Sequence, residues 1–484
     1  MKNIFPFSTF FYQIHILQLE NYNLPRFIRA CFPKIFFADT EKDKDIVWTP
    51  KLQLVVFLAL GLKISFLWMM VEGLFPHIFF DVLTTLLLLV ALSPLFAVFL
   101  FVATLLLSPL DVFAKERIIR KAKILLSSHD RIQVIGITGS YGKTTTKELL
   151  RHILGMRYNV VATRDSFNTA LSVSMEILEK VTEETDIFIA EMGAHEKGDI
   201  EKVCSVSGPN ISILTGINEA HLERFGSIEN TIRTKFEIIE ACSPDGLIVL
   251  NADDERVRSS YKTYCGNQEI AWVSKEANPL SHYTVKNISF SEETLGISFT
   301  LFREQKEIGT INTRFLGEYI INNAIIAFIV GNKLGMSDAE IQAGLMSFKP
   351  VAHRLNPQKT PNDMIVIDDS YNGNPKGVSA AIHALSLFKN RRKIYITPGL
   401  VEVGEESNDI HQEIGRELGK VADFVFLIEN STTAFIKKGL FESGFDESNI
   451  YSHKNKKDTY KKLGQLSRSG DVILFQNDWP ENYA

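Results

Sequence analysis

Residues 133–146 read Gln-Val-Ile-Gly-Ile-Thr-Gly-Ser-Tyr-Gly-Lys-Thr-Thr-Thr. Gln133–Ile137 is short, apolar and β-branched, which predicts a buried strand. It runs straight into Thr138-Gly139-Ser140-Tyr141-Gly142-Lys143-Thr144-Thr145-Thr146, and a helical period follows over Lys143–Leu154. Strand, glycine loop and helix in that order make a phosphate cradle. The glycines let backbone N–H groups turn inward, and the helix presents its positive end to an anion. Lys143 is placed to reach the β- and γ-phosphates, and the Thr144 hydroxyl to join a Mg²⁺ shell. The strict pattern GxxxxGK[ST] asks for glycine at Ile137, so a looser GxxGKTT form remains. The loop predicts binding of ATP or GTP through Thr138, Gly139, Ser140, Tyr141, Gly142, Lys143, Thr144 and Thr145. It does not say how the nucleotide is used.

Outward from this loop the pattern repeats. Asn159–Ala162, Ile187–Ala190, Ile211–Leu214 and Leu247–Leu250 read as further strands, with a helical period such as Ala170–Lys180 between them. Alternation of this kind predicts βαβ units and a mostly parallel sheet. From Ile270 to Phe315 the runs are strand-like without long helices, which predicts antiparallel additions, and a helix follows over Tyr319–Leu334. A second α/β series then occupies Met364–Ile367, Lys393–Ile396, Phe424–Ile428 and Val472–Phe475, with helices such as Lys376–Leu387 and Asp409–Val421 between. Pro350 and the preceding helix end set a boundary near 348–351. The expected fold is α/β: a central P-loop ATPase domain (131–348) and a C-terminal Rossmann-like α/β domain (349–484).

Before residue 131 the composition is different. The chain has 484 residues, 45% apolar and 23% charged, with 34 Phe, and its mean hydropathy is +0.03. The apolar excess lies before residue 112. Leu52–Met70 contains one charge, Lys63, and Val82–Leu110 contains none. Each is long enough for a hydrocarbon core about 30 Å thick. Lys42, Lys44 and Lys51 precede the first run, and Lys115, Arg117, Arg120, Lys121 and Lys123 follow the second, whereas 72–81 has no Lys or Arg. The positive-inside rule therefore places both flanks in the cytoplasm around a transmembrane hairpin over 51–112, with 113–130 as a basic juxtamembrane linker. Pro94 marks either a kinked long helix or a turn between short ones, which leaves two or three crossings open. Residues 1–50 are aromatic and basic, suited to amphipathic helices on the membrane surface or to packing on the hairpin. The expected location is the cytoplasmic membrane with the catalytic domains facing the cytoplasm.

A net charge of −5 gives no global footprint for nucleic acid. Four cysteines, Cys31, Cys204, Cys242 and Cys265, are widely spaced without a CxxC pair, which argues against a disulfide framework and a thiolate zinc site and fits a reducing compartment.

Further polar clusters follow predicted strands, where ligands gather in open α/β sheets. Glu191 ends one strand and suits Mg²⁺. His221 lies in Asn-Glu-Ala-His-Leu-Glu (218–223), where a structural histidine and a ligand are both open. Lys235 begins a helical stretch. Asn251-Ala252-Asp253-Asp254 ends another strand. Asp368-Asp369-Ser370-Tyr371-Asn372-Gly373-Asn374-Pro375 follows the first strand of the last domain and suits a turn, a ribose or a metal.

Taken together, the GxxGKTT loop, Glu191, NEAHLERFGS, Lys235, NADDE, His353-Arg354 and DDSYNGNP resemble the Mur ligase family, in that family's order, over 131–484. AHLExFG and DDSYNxNP are the more discriminating. They look most like the branch that joins D-Ala-D-Ala to a UDP-N-acetylmuramoyl tripeptide in peptidoglycan synthesis. The resemblance implies an ATP- and Mg²⁺-dependent, ADP-forming amide ligase working through an acyl phosphate. It implies Lys143, Lys235, His221 and Glu191 as catalytic, and Thr144, Glu191, His221 and a carbamylated Lys235 as metal ligands; a plain lysine stays open at 235. It implies nucleotide contacts from Asn251, Arg354 and Asp369, and acceptor contacts from Asn168, Asn372 and Asn374.

This chain departs from the branch at Tyr319, where the family often has His, and at Gln476-Asn477-Asp478 in place of a Lys/Gly/Ser-rich turn. The usual UDP-gripping N-terminal domain is replaced by membrane segments, so the muramyl-peptide acceptor is expected on UDP or on a lipid carrier. The alternatives are a membrane-associated ligase that polymerises glutamate through γ-amides, and a membrane-anchored P-loop switch or motor.

Overall fold

The computed structural model describes residues 6–19, 22–31, 46–72, 96–129, 131–165, 167–194, 196–218, 225–371, 373–400 and 407–477. It divides into two compact units, Met1–Arg117 and Ile118–Ala484.

The first unit contains α1 (Pro6–Leu19), α2 (Leu24–Cys31), α3 (Pro50–Glu72) and the start of α4 (Phe96–Ser127). Ile14 and Leu17 of α1, Phe27 of α2, Val55 and Ala59 of α3, and Phe96 and Leu100 of α4 share one apolar cluster. Gln18 exchanges two hydrogen bonds with the Val47 backbone, at 2.7 and 3.2 Å, and Phe10 stacks on Phe96 at 4.5 Å. Through these contacts α1 packs on the apolar helices.

By length and composition, α3 (over Pro50–Val71) and α4 can each cross a membrane. Phe57, Met69 and Leu110 turn outward, each about two-thirds or more exposed. Lys63 turns inward and is buried, its ammonium 5.9 Å from the centre of the Phe96 ring. The second apolar run enters the described residues only at Phe96, so Pro94 and the turn of the hairpin lie outside them.

The basic stretch after residue 112 is helical as far as Ser127, because α4 continues through Pro109. Pro109 has no N–H to offer the Leu105 carbonyl, and Ser108 Oγ donates to that carbonyl at 2.9 Å instead. Ala122 and Leu126, in the part of α4 belonging to the second unit, are buried in that unit's core.

The second unit opens on a parallel sheet of order β2-β3-β1-β4-β5-β6. The strands and helices alternate along the chain. They run β1 (Gln133–Thr138), α5 (Lys143–Leu154), β2 (Val160–Ala162), α6 (Ala170–Lys180), β3 (Ile187–Glu191), α7 (Asp199–Ser207), β4 (Ile211–Leu214), α8 (Ile228–Glu240), β5 (Leu247–Asn251), α9 (Glu255–Tyr264) and β6 (Glu269–Val273). Fully buried strands such as Ile187–Glu191 explain the near-continuous apolar runs, since helices cover both faces. β1 lies between β3 and β4 with the chain diverging to either side, so its carboxyl end is the topological switch point.

Three antiparallel strands follow, β7 (Tyr283–Ser291), β8 (Gly296–Arg303) and β9 (Lys306–Asn312), then α10 (Tyr319–Lys333) and α11 (Asp338–Ser347). The second sheet has order β10-β11-β15-β12-β13-β14. Its edge strand β10 (Asn356–Lys359) pairs antiparallel with β11 (Ile365–Asp369). The remaining elements are α12 (Pro375–Ser386), β12 (Lys393–Thr397), α13 (Ser407–Gly419), β13 (Phe424–Ile428), α14 (Thr433–Glu442), β14 (Ile450–His453), α15 (Lys456–Leu466) and β15 (Val472–Gln476).

Candidate active site

The loop after β1 is shaped by two glycines in the left-handed region, Gly139 at φ 148° and Gly142 at φ 77°. A side chain at Gly139 would strike Thr215, 2.0 Å from where its Cβ would sit. Gly142 caps α5 without offering a side-chain acceptor, which leaves the first N–H groups of the helix for an anion. Lys143 Nζ donates to the Gly139 carbonyl at 2.8 Å. Burial holds its pKa below the ordinary lysine value, against the pull of Glu191.

Glu191, at the end of β3, is 1% exposed. Its Oε2 accepts from Thr144 Oγ1 at 3.0 Å and lies 3.5 Å from Lys147 Nζ, while Oε1 accepts from Asn168 Nδ2 at 3.4 Å. Asn168 is pressed against Gly193, where any Cβ would lie 2.5 Å from its Cγ. The structure thus brings Thr144, Glu191 and Asn168 together. Their paired hydroxyl and carboxylate oxygens are the hard donors Mg²⁺ takes, so they fit such an ion.

Lys235 lies on α8, almost fully buried, with its ammonium 6.0 Å from the centre of the Phe225 ring. Burial, and then the charge of Lys143, lower its pKa to about 7. His221 and Asn372 lie outside the described residues.

Nearby, Asn251 Nδ2 donates to the Thr215 carbonyl at 2.8 Å. Thr215 Oγ1 donates to the Tyr141 carbonyl at 2.5 Å. Tyr141 in turn donates to Asp254 Oδ2 at 3.1 Å, and the same oxygen accepts the Ile217 N–H at 2.8 Å.

The second sheet completes the cleft. A cavity of about 550 Å³ is lined from one side by Tyr141, Gly142, Thr145 and Asn251, and from the other by Arg354, Asp369, Asn374 and Lys376. Asn218 Nδ2 donates to Asn374 Oδ1 at 3.3 Å, and Lys376 stands 5.7 Å from the Tyr141 ring centre. Arg354 lies over the Tyr371 ring at 3.9 Å, and burial lowers its pKa. Asp369 Oδ1 accepts the Leu355 N–H at 3.0 Å. Burial pushes the Asp369 carboxyl up to about 7, although that N–H and Arg354 both favour the anion. Tyr319 lines the same cavity.

Sequence reasoning missed Lys147, Asp254 and Lys376. Lys147 follows Lys143 by one helical turn, a spacing that puts both on one face. Asp254 lies in the Asn-Ala-Asp-Asp run that ends β5, where nothing local separates a helix cap from a residue that also binds the phosphate loop. Nothing in the sequence marks Lys376, because its role comes from the facing of two domains.

Residues 137–331 match the Mur ligase middle domain and 353–476 the Mur ligase, glutamate ligase domain. The UDP-N-acetylmuramoyl-tripeptide--D-alanyl-D-alanine ligase of Bacillus subtilis is 30% identical over 353 residues, 71% of this chain and 72% of that protein. The enzyme of the same name from Haemophilus influenzae is 31% identical over 60% of this chain, and that from Mycobacterium bovis 32% over 59%. The chain spans 62% and 56% of those two relatives, less than two thirds of their length. Among solved structures, the MurF ligase of Thermotoga maritima in complex with ADP is 26% identical, with TM-score 0.66, over 75% of this chain and 80% of that one. MurF of Acinetobacter baumannii is 25% identical, also with TM-score 0.66, over 75% and 77%.

Proposed function

This chain belongs to the Mur ligase family, and on that premise we propose that it joins D-Ala-D-Ala to a muramyl-tripeptide in peptidoglycan precursor synthesis. It is an ATP-dependent, ADP-forming ligase. The observation that carries the reading is the single cleft into which both sheets send polar groups, the phosphate loop from one and Arg354, Asp369 and Asn374 from the other.

The chemistry follows from those positions. The tripeptide carboxylate takes the γ-phosphoryl group of ATP, ADP leaves, and the dipeptide amine then displaces phosphate from the acyl phosphate. Such transfers need charge neutralisation and in-line placement more than covalent help. Lys143 and the N–H groups at the start of α5 neutralise the phosphates, and Asn251, Arg354 and Asp369 hold the nucleoside end, Asp369 by accepting ribose hydroxyls. Thr144, Glu191, His221 and a carbamylated Lys235 would hold Mg²⁺, which when bound would supply positive charge to the transferring phosphoryl group. Asn168, Asn372 and Asn374 bound the acceptor side. Asn218 with Asn374, and Lys376 with Tyr141, bridge the two sides of the cleft, and closure of those sides on bound substrates would keep water from the acyl phosphate.

The apolar helices α3 and α4 anchor the enzyme as a hairpin in the cytoplasmic membrane, with the ligase on the cytoplasmic side. The test is ADP release by detergent-solubilised protein with UDP-MurNAc-tripeptide, with and without D-Ala-D-Ala, and with a lipid-linked tripeptide in parallel. Release that needs both peptide substrates, with the pentapeptide product seen by mass spectrometry, is the expected result. Turnover only with the lipid-linked acceptor assigns the membrane helices to substrate recognition, and no turnover with either acceptor refutes the assignment.

A further inference from the structure

The first unit carries its own cavity, of about 400 Å³, where α3 begins and the apolar part of α4 ends. Leu54 and Val55 of α3 and Leu107 of α4 make its wall apolar, while its rim is charged. There the ammonium groups of Lys51 and Lys115 both reach one oxygen of Asp111, at 2.9 and 2.8 Å. Lys51 also stands over the Tyr22 ring, 4.2 Å from its centre. A structural ion pair needs one cation, and two on a single carboxylate oxygen repel each other. The rim therefore keeps one net positive charge, with side chains 29–45% exposed.

Its depth is set by the helices. Residues 96–110 of α4 carry no charge before Asp111, a length of about 22 Å at the α-helical rise. On α3, Lys51 immediately precedes the apolar run. If the helices cross a bilayer, as the proposed function reads them, the rim lies at headgroup level on the basic, cytoplasmic side. Basic pockets between membrane helices on that side suit anionic headgroups.

We infer that this notch binds a phosphate group, delivered as the headgroup of an anionic lipid whose chain lies along Leu54 and Leu107. Inorganic phosphate offers the same head without the chain. The inference rests on the membrane-spanning reading, so the first readout is recovery of the full-length protein in carbonate-washed membranes. Release by carbonate refutes the spanning reading, and the lipid site with it.

Retained protein is then purified in mild detergent and examined by native mass spectrometry with phosphatidylglycerol or with inorganic phosphate. One phosphatidylglycerol per chain is expected, bound roughly tenfold more weakly in Lys51→Gln/Lys115→Gln. Asp111→Asn, which frees both ammonium groups, is expected to tighten binding about threefold. A variant that merely loosens the helix pair would weaken it. Displacement of the lipid by millimolar inorganic phosphate keeps the phosphate site and makes free phosphate its source. Equal lipid retention by the parent and the double-lysine variant overturns the inference, as does weaker binding by Asp111→Asn.

Discussion

At the scale of single residues, two buried groups, Asp369 in the cleft and Lys235 on α8, titrate near neutrality, and in opposite senses. Asp369 is raised to about 7 by burial. The folded chain therefore holds a proton there that the unfolded chain releases near its ordinary value of about 4, and this group's contribution to stability is lost as pH rises through 7. The anion is also the form that accepts ribose hydroxyls. The KM for ATP is thus expected to fall as pH rises through about 7, and Asp369→Asn to flatten that profile with a KM raised about tenfold. Steady-state kinetics from pH 6 to 8.5 check this.

Lys235, lowered to about 7, behaves the other way: its contribution is present above the unfolded value and is lost as pH falls through 7. Above 7 its neutral amine can add to CO₂, forming an N–C bond and releasing a proton. Depleting CO₂ should then cut activity more at pH 6.5 than at pH 8, and Lys235→Ala should lose about a hundredfold or more. Restoration of that variant by added acetate would show that a carboxylate is what the site needs. Full activity in Lys235→Arg would show that a cation suffices. Lys143→Gln, by removing the charge beside the phosphates, is expected to cost about a thousandfold in kcat with the fold intact by circular dichroism.

At the scale of elements, the site depends on how strand ends are tied to helix starts. Asp254 caps α9 by accepting from the Arg256 and Val257 N–H groups, and also receives the Tyr141 hydroxyl and the Ile217 N–H. One buried carboxylate therefore joins the phosphate loop, the segment after β4 and the start of α9. Asp254→Ala removes a cap and strands buried donors, an expected loss of about 3 kcal/mol in urea denaturation. The same variant should raise the KM for ATP, because Tyr141 shapes the loop. Gly216 belongs to this arrangement: a Cβ there would lie 2.1 Å from the Tyr141 hydroxyl oxygen. Even a Gly216→Ala change is therefore expected to impair nucleotide binding, readable by isothermal titration.

At the scale of the whole molecule, the unit boundary at 117/118 falls within α4. Ala122 and Leu126 are buried in the ligase core, whereas the residues before 118 belong to the apolar unit. A deletion ending at 125 would strip part of that core and confuse misfolding with loss of the membrane. A deletion ending at Arg117 should retain ATP binding and a cooperative thermal transition. Its activity on a lipid-linked acceptor should fall relative to that on the UDP-linked one, and equal loss on both would separate anchoring from substrate delivery.

The fold class and the phosphate loop are legible in the residues alone, because both are written in local terms: a 3.6- or 2-residue apolar period, and glycines where only positive φ will serve. Glu191 and Asp369 stand out as acidic residues at strand ends, which are visible in one dimension, whereas Lys235 is marked by the family resemblance alone. It takes the folded chain to show that Thr144, Asn168 and Lys147 meet on Glu191, that Lys376 faces Tyr141, and that Asp254 ties three segments. Those contacts join residues from 23 to 235 positions apart, along Asn168–Glu191 and Tyr141–Lys376. No local pattern encodes such distances, because they depend on how two independently cored sheets face each other. The continuation of α4 through Pro109 likewise rests on a contact that the residue type does not announce. A proline reads as a helix break until a neighbour such as Ser108 is seen to take up the carbonyl it leaves unpaired.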